Sequence, residues 1–236
     1  MNELKLSKRL SKVAEYIPEG SILADIGSDH AYLPCYAVIK GKAKNAIAGE
    51  VVEGPYRSAL SQVKRSGLDD RIAVRKGDGL AVLETDEATC ITIAGMGGGL
   101  IAKILENGKD KLGAARRLIL QPNVNADLIR IWLINNGWEL KAEEILEEDR
   151  KIYEILTAEK GEPLKPYDGA DKDAGILFGP FLMKEKNDVF IQKWEHEKEH
   201  WERIAAQISR GIQTEETAAR KADMLAQIKR AEEVLS

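Results

Sequence analysis

Three acidic residues each follow a short apolar run in the first third of the chain. Asp25 lies in ADIGS, Glu50 in AGEVV and Asp78 in KGDGL. If these runs are parallel strands of one sheet, their carboxyl ends share the edge at which α/β proteins bind ligands. Carboxylates at that edge can accept hydrogen bonds from a nucleoside. We predict that Glu50 binds both ribose hydroxyls and that Asp78 accepts a hydrogen bond from the adenine amino group.

The loop after Asp25 differs from a dinucleotide-binding loop. In the G-x-G-x-x-G pattern, glycines let a pyrophosphate rest on a helix N-terminus. Here only Gly27 remains, and Asp29 stands where a phosphate would approach. This carboxylate repels a phosphate but not a cation. The loop therefore favours S-adenosylmethionine, which carries sulfonium and ammonium groups and no phosphate, over NAD or FAD.

The segment AGMGG, residues 94–98, follows a fourth apolar run and is predicted to receive a substrate base. Its glycines let a flat ring approach the backbone, so Gly95, Gly97 and Gly98 are the predicted base contacts. Enzymes that methylate an exocyclic amino group generally carry Asp or Asn, two prolines and an aromatic residue here, and this chain does not. The complete predicted cofactor set is Asp25, Gly27, Ser28, Glu50, Val51, Asp78, Gly79, Gly95 and Met96.

A ring nitrogen with an in-plane lone pair can attack a methyl group without a general base. Position and alignment then supply most of the catalysis. The ring becomes cationic on methylation, so a carboxylate beside it stabilises charge that develops in the transition state. Asp29 and His30 are the candidates for this assistance or for a later proton transfer. Asn123, after the fifth apolar run, is the candidate for orienting the base.

Alternating strand and helix patterns position these residues. A helical pattern spans residues 4–17, and further helices are predicted at about 30–40 and 55–66. Two antiparallel strands are predicted in WELKAEEILEED and KIYEILTAEKG. The pattern predicts an α/β fold, with a parallel sheet covered by helices on both faces and an antiparallel edge. The predicted parallel strands are SILADIG, NAIAGEVV, RIAVRKGD, CITIAG and RRLILQPN.

The sequence changes character after Gly161, so we predict domains at residues 1–161 and 162–236. Prolines and glycines first interrupt the chain, and two long helical stretches with narrow apolar seams follow. Gly211 separates the two stretches, and residues 214–217 supply helix-capping side chains. This pattern predicts an antiparallel helical hairpin or coiled coil, with Trp194 and Trp201 in its seam.

The sequence resembles the bacterial tRNA adenine-N1 methyltransferases that act on adenine 22. DIGSDHAYLP, the GE of NAIAGEVV, KGDGL and ITIAGMGGGLI carry the resemblance. The QPN segment, FGPFLMKEK and the C-terminal helical pattern extend it over nearly the whole chain. The resemblance implies a Rossmann-like class I methyltransferase domain, S-adenosylmethionine as methyl donor, tRNA as substrate and a helical C-terminal domain.

The charge distribution limits where RNA can bind. The formal net charge is -4, so any RNA surface must be a local basic patch. The predicted tRNA contacts lie on the N-terminal helix, although a solvated helix face explains the same pattern. These contacts are Lys5, Lys8, Arg9 and Lys12.

The remaining composition predicts a soluble cytoplasmic protein that is a monomer and binds no metal. Cys35 and Cys90 lie in apolar runs without metal-ligand spacing, which indicates buried thiols in a reducing compartment. The N-terminus does not have the pattern of a signal peptide, and no apolar run is long enough to span a membrane.

Two alternatives to RNA methylation stay open at this level. The same cofactor half could serve a methyltransferase for a small molecule or a protein. A non-catalytic nucleoside-binding module with a coiled-coil interaction arm would also fit. The lack of a P-loop and of a nucleophile elbow argues against an NTPase and a hydrolase.

Overall fold

A computed structural model describes residues 2–169, 171–210 and 214–236. The chain divides into two compact units, Met1–Pro166 and Tyr167–Ser236. Within the described ranges, no helix combines the length and apolar composition needed to cross a membrane.

The first unit is built on a mixed seven-stranded sheet with the order β3-β2-β1-β4-β5-β7-β6. The first five strands are parallel, and β7 runs antiparallel to both β5 and β6. This confirms the predicted sheet and its antiparallel edge. Chain order reverses at β1, whose neighbours are β2 and β4, and such a switch point is where α/β sheets bind ligands. The strands are β1 Ser21–Ile26, β2 Ala43–Glu50, β3 Ile72–Lys76, β4 Cys90–Gly97, β5 Arg117–Val124, β6 Trp138–Glu148 and β7 Lys151–Lys160.

Five helices of the first unit connect or flank these strands. Apolar runs such as SILADI and CITI are buried in the sheet because helices cover them. Cys35 and Cys90 are buried free thiols, and burial raises the pKa of Cys90 to about 12. The helices are α1 Lys8–Glu15, α2 Tyr32–Ile39, α3 Glu53–Arg65, α4 Gly98–Asn107 and α5 Ala126–Asn135.

The first helix is shorter than its apolar spacing predicts. It begins at Lys8 rather than at residue 4, because the Ser7 hydroxyl accepts a hydrogen bond from the Leu10 N–H and caps it. Before it, the Asn2 side chain accepts hydrogen bonds from the N–H groups of Leu4 and Lys5 and forms a turn. Apolar residues at helical spacing therefore extend beyond the helix itself.

The second helix also begins later than predicted, at Tyr32 rather than at residue 30. Asp29 and Ala31 have φ angles of 56° and 53°, in the left-handed region that interrupts a right-handed helix. Strand β2 ends at Glu50, so Val51 lies beyond the strand. Each difference falls in a loop at the carboxyl edge of the sheet.

The second unit is helical, as predicted. Its two long helices are α8 and α9, and the Thr214 and Thr217 side chains form a capping box at the start of α9. Phe190 and Trp194 of α8 are buried, as is Ile228 of α9, whereas the coiled-coil geometry stays a prediction. The predicted separator Gly211 lies outside the described residues. Two shorter helices precede this pair, so the unit contains α6 Lys172–Phe178, α7 Leu182–Glu185, α8 Asp188–Arg210 and α9 Glu215–Leu235.

Candidate active site

Asp25 is the penultimate residue of β1, at the switch point, and is buried, with 4% of its surface exposed. Its two carboxylate oxygens accept hydrogen bonds from the hydroxyls of Ser28 and Thr92, each at 2.6 Å. Burial raises the pKa of Asp25, and these hydrogen bonds oppose the rise. Asp25 thus links the loop after β1 to β4, and it shapes the cleft besides being a candidate cofactor contact.

The loop after β1 passes between β2 and β4. The N–H groups of Gly27 and Ser28 donate to the Gly49 carbonyl at 2.9 and 3.2 Å. Gly27 has a φ of 71°, and a Cβ there would lie 2.1 Å from the Met96 methyl carbon. Glycine at position 27 therefore satisfies both the backbone conformation and the close approach of Met96. Met96 itself is half-buried and packs under this loop.

Glu50 ends β2 and holds the next part of the loop. The Glu50 side chain is almost completely buried, and its Oε1 accepts a hydrogen bond from the Asp29 backbone N–H. Burial raises the pKa of Glu50, and the Asp29 hydrogen bond opposes that rise. An ionised carboxylate has acceptor sites on both oxygens, so this one hydrogen bond leaves capacity for two ribose hydroxyls.

The loop presents Asp29 and His30 to solvent. Their side chains are 69% and 46% exposed, and His30 Nε2 lies 3.7 Å from Asp29 Oδ1. His30 also stacks on Tyr32, with ring centroids 5.3 Å apart. Left-handed residues other than glycine are uncommon and concentrate at functional sites. The conformation therefore directs an acidic side chain outward from a loop whose backbone is fixed by Glu50.

Two further predicted cofactor contacts lie beyond the strand ends. Val51 is 57% exposed beside Glu50, and Asp78 is exposed after β3. The Gly77 N–H donates to the Glu50 carbonyl at 2.8 Å, so the turn carrying Asp78 is attached to the end of β2. Gly79 follows with a φ of 54° and packs on Ile104. The structure thus places the predicted acids along one edge of the sheet.

Gly95 forms a bulge in β4, opposite the loop of β1. Ala94 pairs with Gln121 and Met96 pairs with Pro122, so Gly95 has no partner in the strand register and has a φ of 81°. Instead, its N–H donates to Gln121 Oε1 at 3.0 Å. Its carbonyl accepts a hydrogen bond from Asn123 Nδ2 at 2.8 Å. Two amide side chains of β5 therefore hold an exposed glycine at the edge of the cleft.

The other glycines of AGMGG have different surroundings. Gly98 is buried, and a Cβ there would lie 1.9 Å from the Asn125 carbonyl oxygen. The close packing of the beginnings of α4 and α5 thus accounts for glycine at position 98 without a bound base. A Cβ on Gly97 would contact Val124 at 3.9 Å. Gly95 is exposed whereas Gly97 is half-buried, so Gly95 is the most exposed of the predicted base contacts.

The four predicted tRNA contacts have unequal environments. Lys5 and Lys8 are exposed, and Lys8 Nζ donates to the Glu147 carbonyl at 3.0 Å. Lys12 forms ion pairs with Glu15 and Glu144 at 3.0 and 3.4 Å. Arg9 is half-buried and donates from Nη1 to Gln121 Oε1, beside Gly95.

Gln121 and the cleft position of Arg9 are features that the sequence reasoning missed. Gln121 is completely buried although it lies in an apolar strand, and that polar residue in RLILQ was the available signal. The Arg9 guanidinium also lies over the Tyr153 ring, 5.2 Å from its centroid. Asn123 Nδ2 donates to the Gly95 carbonyl and its Oδ1 accepts from Gln121 at 3.4 Å, so the side chain predicted to orient the base also holds the Gly95 backbone.

No group of three or more His, Cys, Asp or Glu side chains suited to a metal ion occurs in the described ranges. The site instead offers carboxylates, loop amides and an open glycine. A sequence profile described as tRNA (adenine(22)-N(1))-methyltransferase, or TrmK, matches residues 23–233. The chain belongs to the TrmK family.

Relatives of known sequence and structure agree with the TrmK assignment. The curated tRNA (adenine(22)-N(1))-methyltransferase of Bacillus subtilis (strain 168) is 56% identical over 235 residues, which covers 100% of this chain and 99% of the relative. The crystal structure of the B. subtilis TrmK superposes with a TM-score of 0.96 at 54% identity, covering 99% of this chain and 100% of the other.

A further TrmK-like structure contains the donor. It is a putative tRNA adenine-22 N1 methyltransferase of Streptococcus pneumoniae in complex with S-adenosyl-L-methionine. Its TM-score is 0.86 at 46% identity, with 98% of this chain and 100% of that chain covered. The resemblance carried by DIGSDH and AGMGG is therefore confirmed as TrmK family membership.

Proposed function

We propose that this chain transfers the methyl group of S-adenosylmethionine to N1 of adenine 22 in tRNA. The observation that carries this proposal is 56% identity to the B. subtilis enzyme over the complete chain. The cleft supports it, because buried carboxylates and an open glycine meet at the switch point of the sheet. A small-molecule or protein substrate does not account for family membership that covers residues 23–233.

The residues of the cleft suit this donor. Glu50 would bind the ribose hydroxyls, and the exposed Asp78 would accept from the adenine amino group. Gly27 lacks a side chain beside Met96, so the loop backbone can approach the amino-acid tail of the donor. The donor supplies an electrophilic methyl group on a cationic sulfur.

The chain has two tasks in the methyl transfer itself. It must align adenine N1 with the methyl–sulfur bond, and it must accommodate the positive charge that moves onto the ring. The exposed Gly95 provides a flat surface for the base, and the exposed Asp29 carboxylate provides the opposing charge. N1 carries no proton in neutral adenine, so the attack itself needs no general base.

Asp29→Asn is the sharpest test of the electrostatic role. Asparagine tolerates the left-handed conformation at this position, so the variant removes the charge and keeps the loop. We expect the single-turnover rate of methyl transfer to fall about 10-fold to 100-fold, with donor affinity within about 3-fold. An unchanged single-turnover rate would remove Asp29 from the mechanism.

Asp86→Asn is the matched control for this variant. Asp86 also has a positive φ, of 60°, but it lies in the loop beside Gly113, outside the residues of the cleft. We expect wild-type rates from it. An equal loss in both variants would mean that the substitution acts through general destabilisation of the fold.

The substrate is tested with two unmodified tRNA transcripts that differ at one nucleotide. We expect labelled donor to methylate a transcript with adenine at position 22 and not the same transcript with guanine there. Nuclease digestion and mass mapping identify the product as N1-methyladenosine. Donor binding without methylation of any tRNA would favour the nucleoside-binding alternative.

We further propose that the protein acts as a cytoplasmic monomer, since tRNA is its substrate and one chain carries every residue of the cleft. Lys5 and Lys8 are the best placed of the predicted cations for phosphate contacts, because both are exposed. Lys12 is less suited, because two carboxylates already neutralise it. Cytoplasmic location and oligomeric state follow from fractionation and from light scattering of the purified chain.

A further inference from the structure

We infer that Arg9 is a positioning residue for methyl transfer, which orients the Gln121 amide and through it holds the Gly95 bulge under the target base. This inference rests on the proposed function, because it concerns the surface on which the adenine would lie. It assigns Arg9 a task different from the phosphate contact that its charge alone predicts.

The bulge depends on side chains for its shape. Gly95 has left the strand register, so its N–H and carbonyl are satisfied by Gln121 and Asn123 rather than by the ladder of β5. Bulges next to active sites commonly re-aim the chain in this way. A change in the Gln121 side chain would therefore move the backbone that faces the substrate.

The Gln121 amide has four hydrogen bonds that require one orientation. Its oxygen accepts from Arg9 Nη1 and from the Gly95 N–H. Its nitrogen donates to the Pro122 carbonyl at 2.7 Å and toward Asn123 Oδ1 at 3.4 Å. A guanidinium can only donate, so it selects the orientation in which the oxygen faces Gly95. Because Gln121 is completely buried, water cannot readily take the place of Arg9.

Arg9 is itself held in place from two sides. The Tyr153 ring of β7 lies against its guanidinium. The Glu148 carboxylate at the end of β6 accepts hydrogen bonds from the Lys8 and Arg9 N–H groups, at 2.5 and 3.2 Å. The helix N-terminus is thereby attached to the antiparallel edge of the sheet. Helix α1 and the edge strands thus support the base surface through one side chain.

The guanidinium also lies close to the exposed glycine. A Cβ on Gly95 would be 3.6 Å from Arg9 Nη1 and 3.9 Å from Nη2. The cation thus borders the bulge. Burial raises the pKa of Asp25, and the positive charge of Arg9 is among the effects that oppose this rise. Arg9 is half-buried beside the predicted base contact Gly95, whereas Lys5 and Lys8 are exposed on the surface.

The test compares Arg9→Met, Arg9→Lys and Gln121→Met with the wild-type chain. At saturating tRNA, we expect each variant to lower the single-turnover methylation rate about 30-fold to 100-fold, because small displacements of a reacting group have effects of this size. Lysine should fail to restore the rate, because it lacks the planar fork of arginine. The tRNA and donor dissociation constants should stay within about 3-fold of wild type.

The double variant Arg9→Met/Gln121→Met shows whether the two side chains act as one unit. If they do, its rate should lie within about 3-fold of the slower single variant, because coupled residues are not additive. If the rate losses of the two single variants multiply in the double variant, the inference is overturned. Donor binding and thermal unfolding of each variant show that it is folded, and Arg9→Lys retains the test if Arg9→Met does not fold.

A phosphate contact has a different signature, for which Lys8→Met is the comparison. Loss of a phosphate contact weakens tRNA binding and reduces the salt dependence of log Kd by about 1. We expect this behaviour from Lys8→Met and not from Arg9→Met. The same behaviour in Arg9→Met, with an unchanged rate at saturation, would refute the positioning role. Methylation by the wild-type chain in the same assay tests the proposed function separately.

Discussion

Replacing Arg130 with methionine is expected to destabilise the first unit by about 3–5 kcal/mol, because two buried carboxylates would lose their shared cation. Arg130 of α5 donates from Nε to Glu143 at 2.7 Å and from Nη2 to Glu154 at 2.5 Å. The Arg130 and Glu143 side chains are 0% exposed and that of Glu154 is 4% exposed. Burial alone would lower the pKa of Arg130, but the attraction of both carboxylates raises it.

The measurement is urea-dependent hydrogen exchange of amides in β5, β6 and β7, which reports the opening free energy of this part of the chain. A triple variant, Arg130→Met with Glu143→Gln and Glu154→Gln, removes all three charges. We expect it to recover more than half of the lost stability, since the cost arises from unpaired buried charge. A triple variant as unstable as Arg130→Met would instead assign the loss to packing of the arginine side chain.

The second large effect is expected from Glu50→Gln, which should weaken binding of S-adenosylmethionine about 100-fold. The variant keeps an acceptor for the Asp29 N–H but removes the charge that would strengthen the two proposed ribose hydrogen bonds, and charge assistance contributes about 1–1.5 kcal/mol to each such bond. Calorimetric titration with the donor or its demethylated product measures this change. Wild-type affinity in the variant would contradict the ribose assignment.

The pH dependence of donor binding gives a second signature of Glu50. Burial raises its pKa, so the ionised form is lost at a higher pH than for an ordinary glutamate. Donor affinity of the wild type should therefore weaken as the pH falls through this raised value, and Glu50→Gln should lack that component.

The raised pKa of Glu50 gives folding stability a pH dependence opposite to that of donor binding. The folded state binds this proton more tightly than the unfolded state, so the contribution of Glu50 to stability is present below the unfolded pKa and is lost as the pH rises through the folded pKa. Glu50→Gln should thus be no less stable than wild type at neutral pH. Glu53→Gln, at an exposed acid three residues later, is the control for net charge and should bind the donor normally.

The sequence predicted the strands well, because their burial is recorded in local apolar runs such as SILADI and CITI. The parallel sheet and its antiparallel edge follow from the alternation of strand and helix patterns and from the two adjacent strand patterns near the end of the first unit. The predicted start of α2 was two residues too early, for a physical reason. The left-handed Asp29 and Ala31 are tied to Glu50 and to Ser28, and the partner Glu50 lies 21 residues away.

The candidate site was predictable only where one residue type indicates its own chemistry. Acids at strand ends suggested a nucleoside cleft, and Asp29 suggested a cationic ligand. Gln121 and Arg9 were not predictable as a pair, because they are 112 residues apart and meet only when α1 lies against the sheet edge. At Gly98 the glycine-rich pattern suggested a ligand contact, but the surroundings show close backbone packing with Asn125.

The hydrogen bond from the Asp29 N–H to Glu50 links binding of the methyl donor to the geometry of the loop that carries Asp29. One carboxylate both fixes the backbone of the acidic loop and faces the place where a sugar would dock. A ribose bound there would use the remaining acceptor sites of the carboxylate whose Oε1 accepts from the Asp29 N–H. Binding of the methyl donor would therefore affect the loop that carries Asp29, which lies beside the proposed base site. This favours an ordered mechanism in which the donor binds before the tRNA.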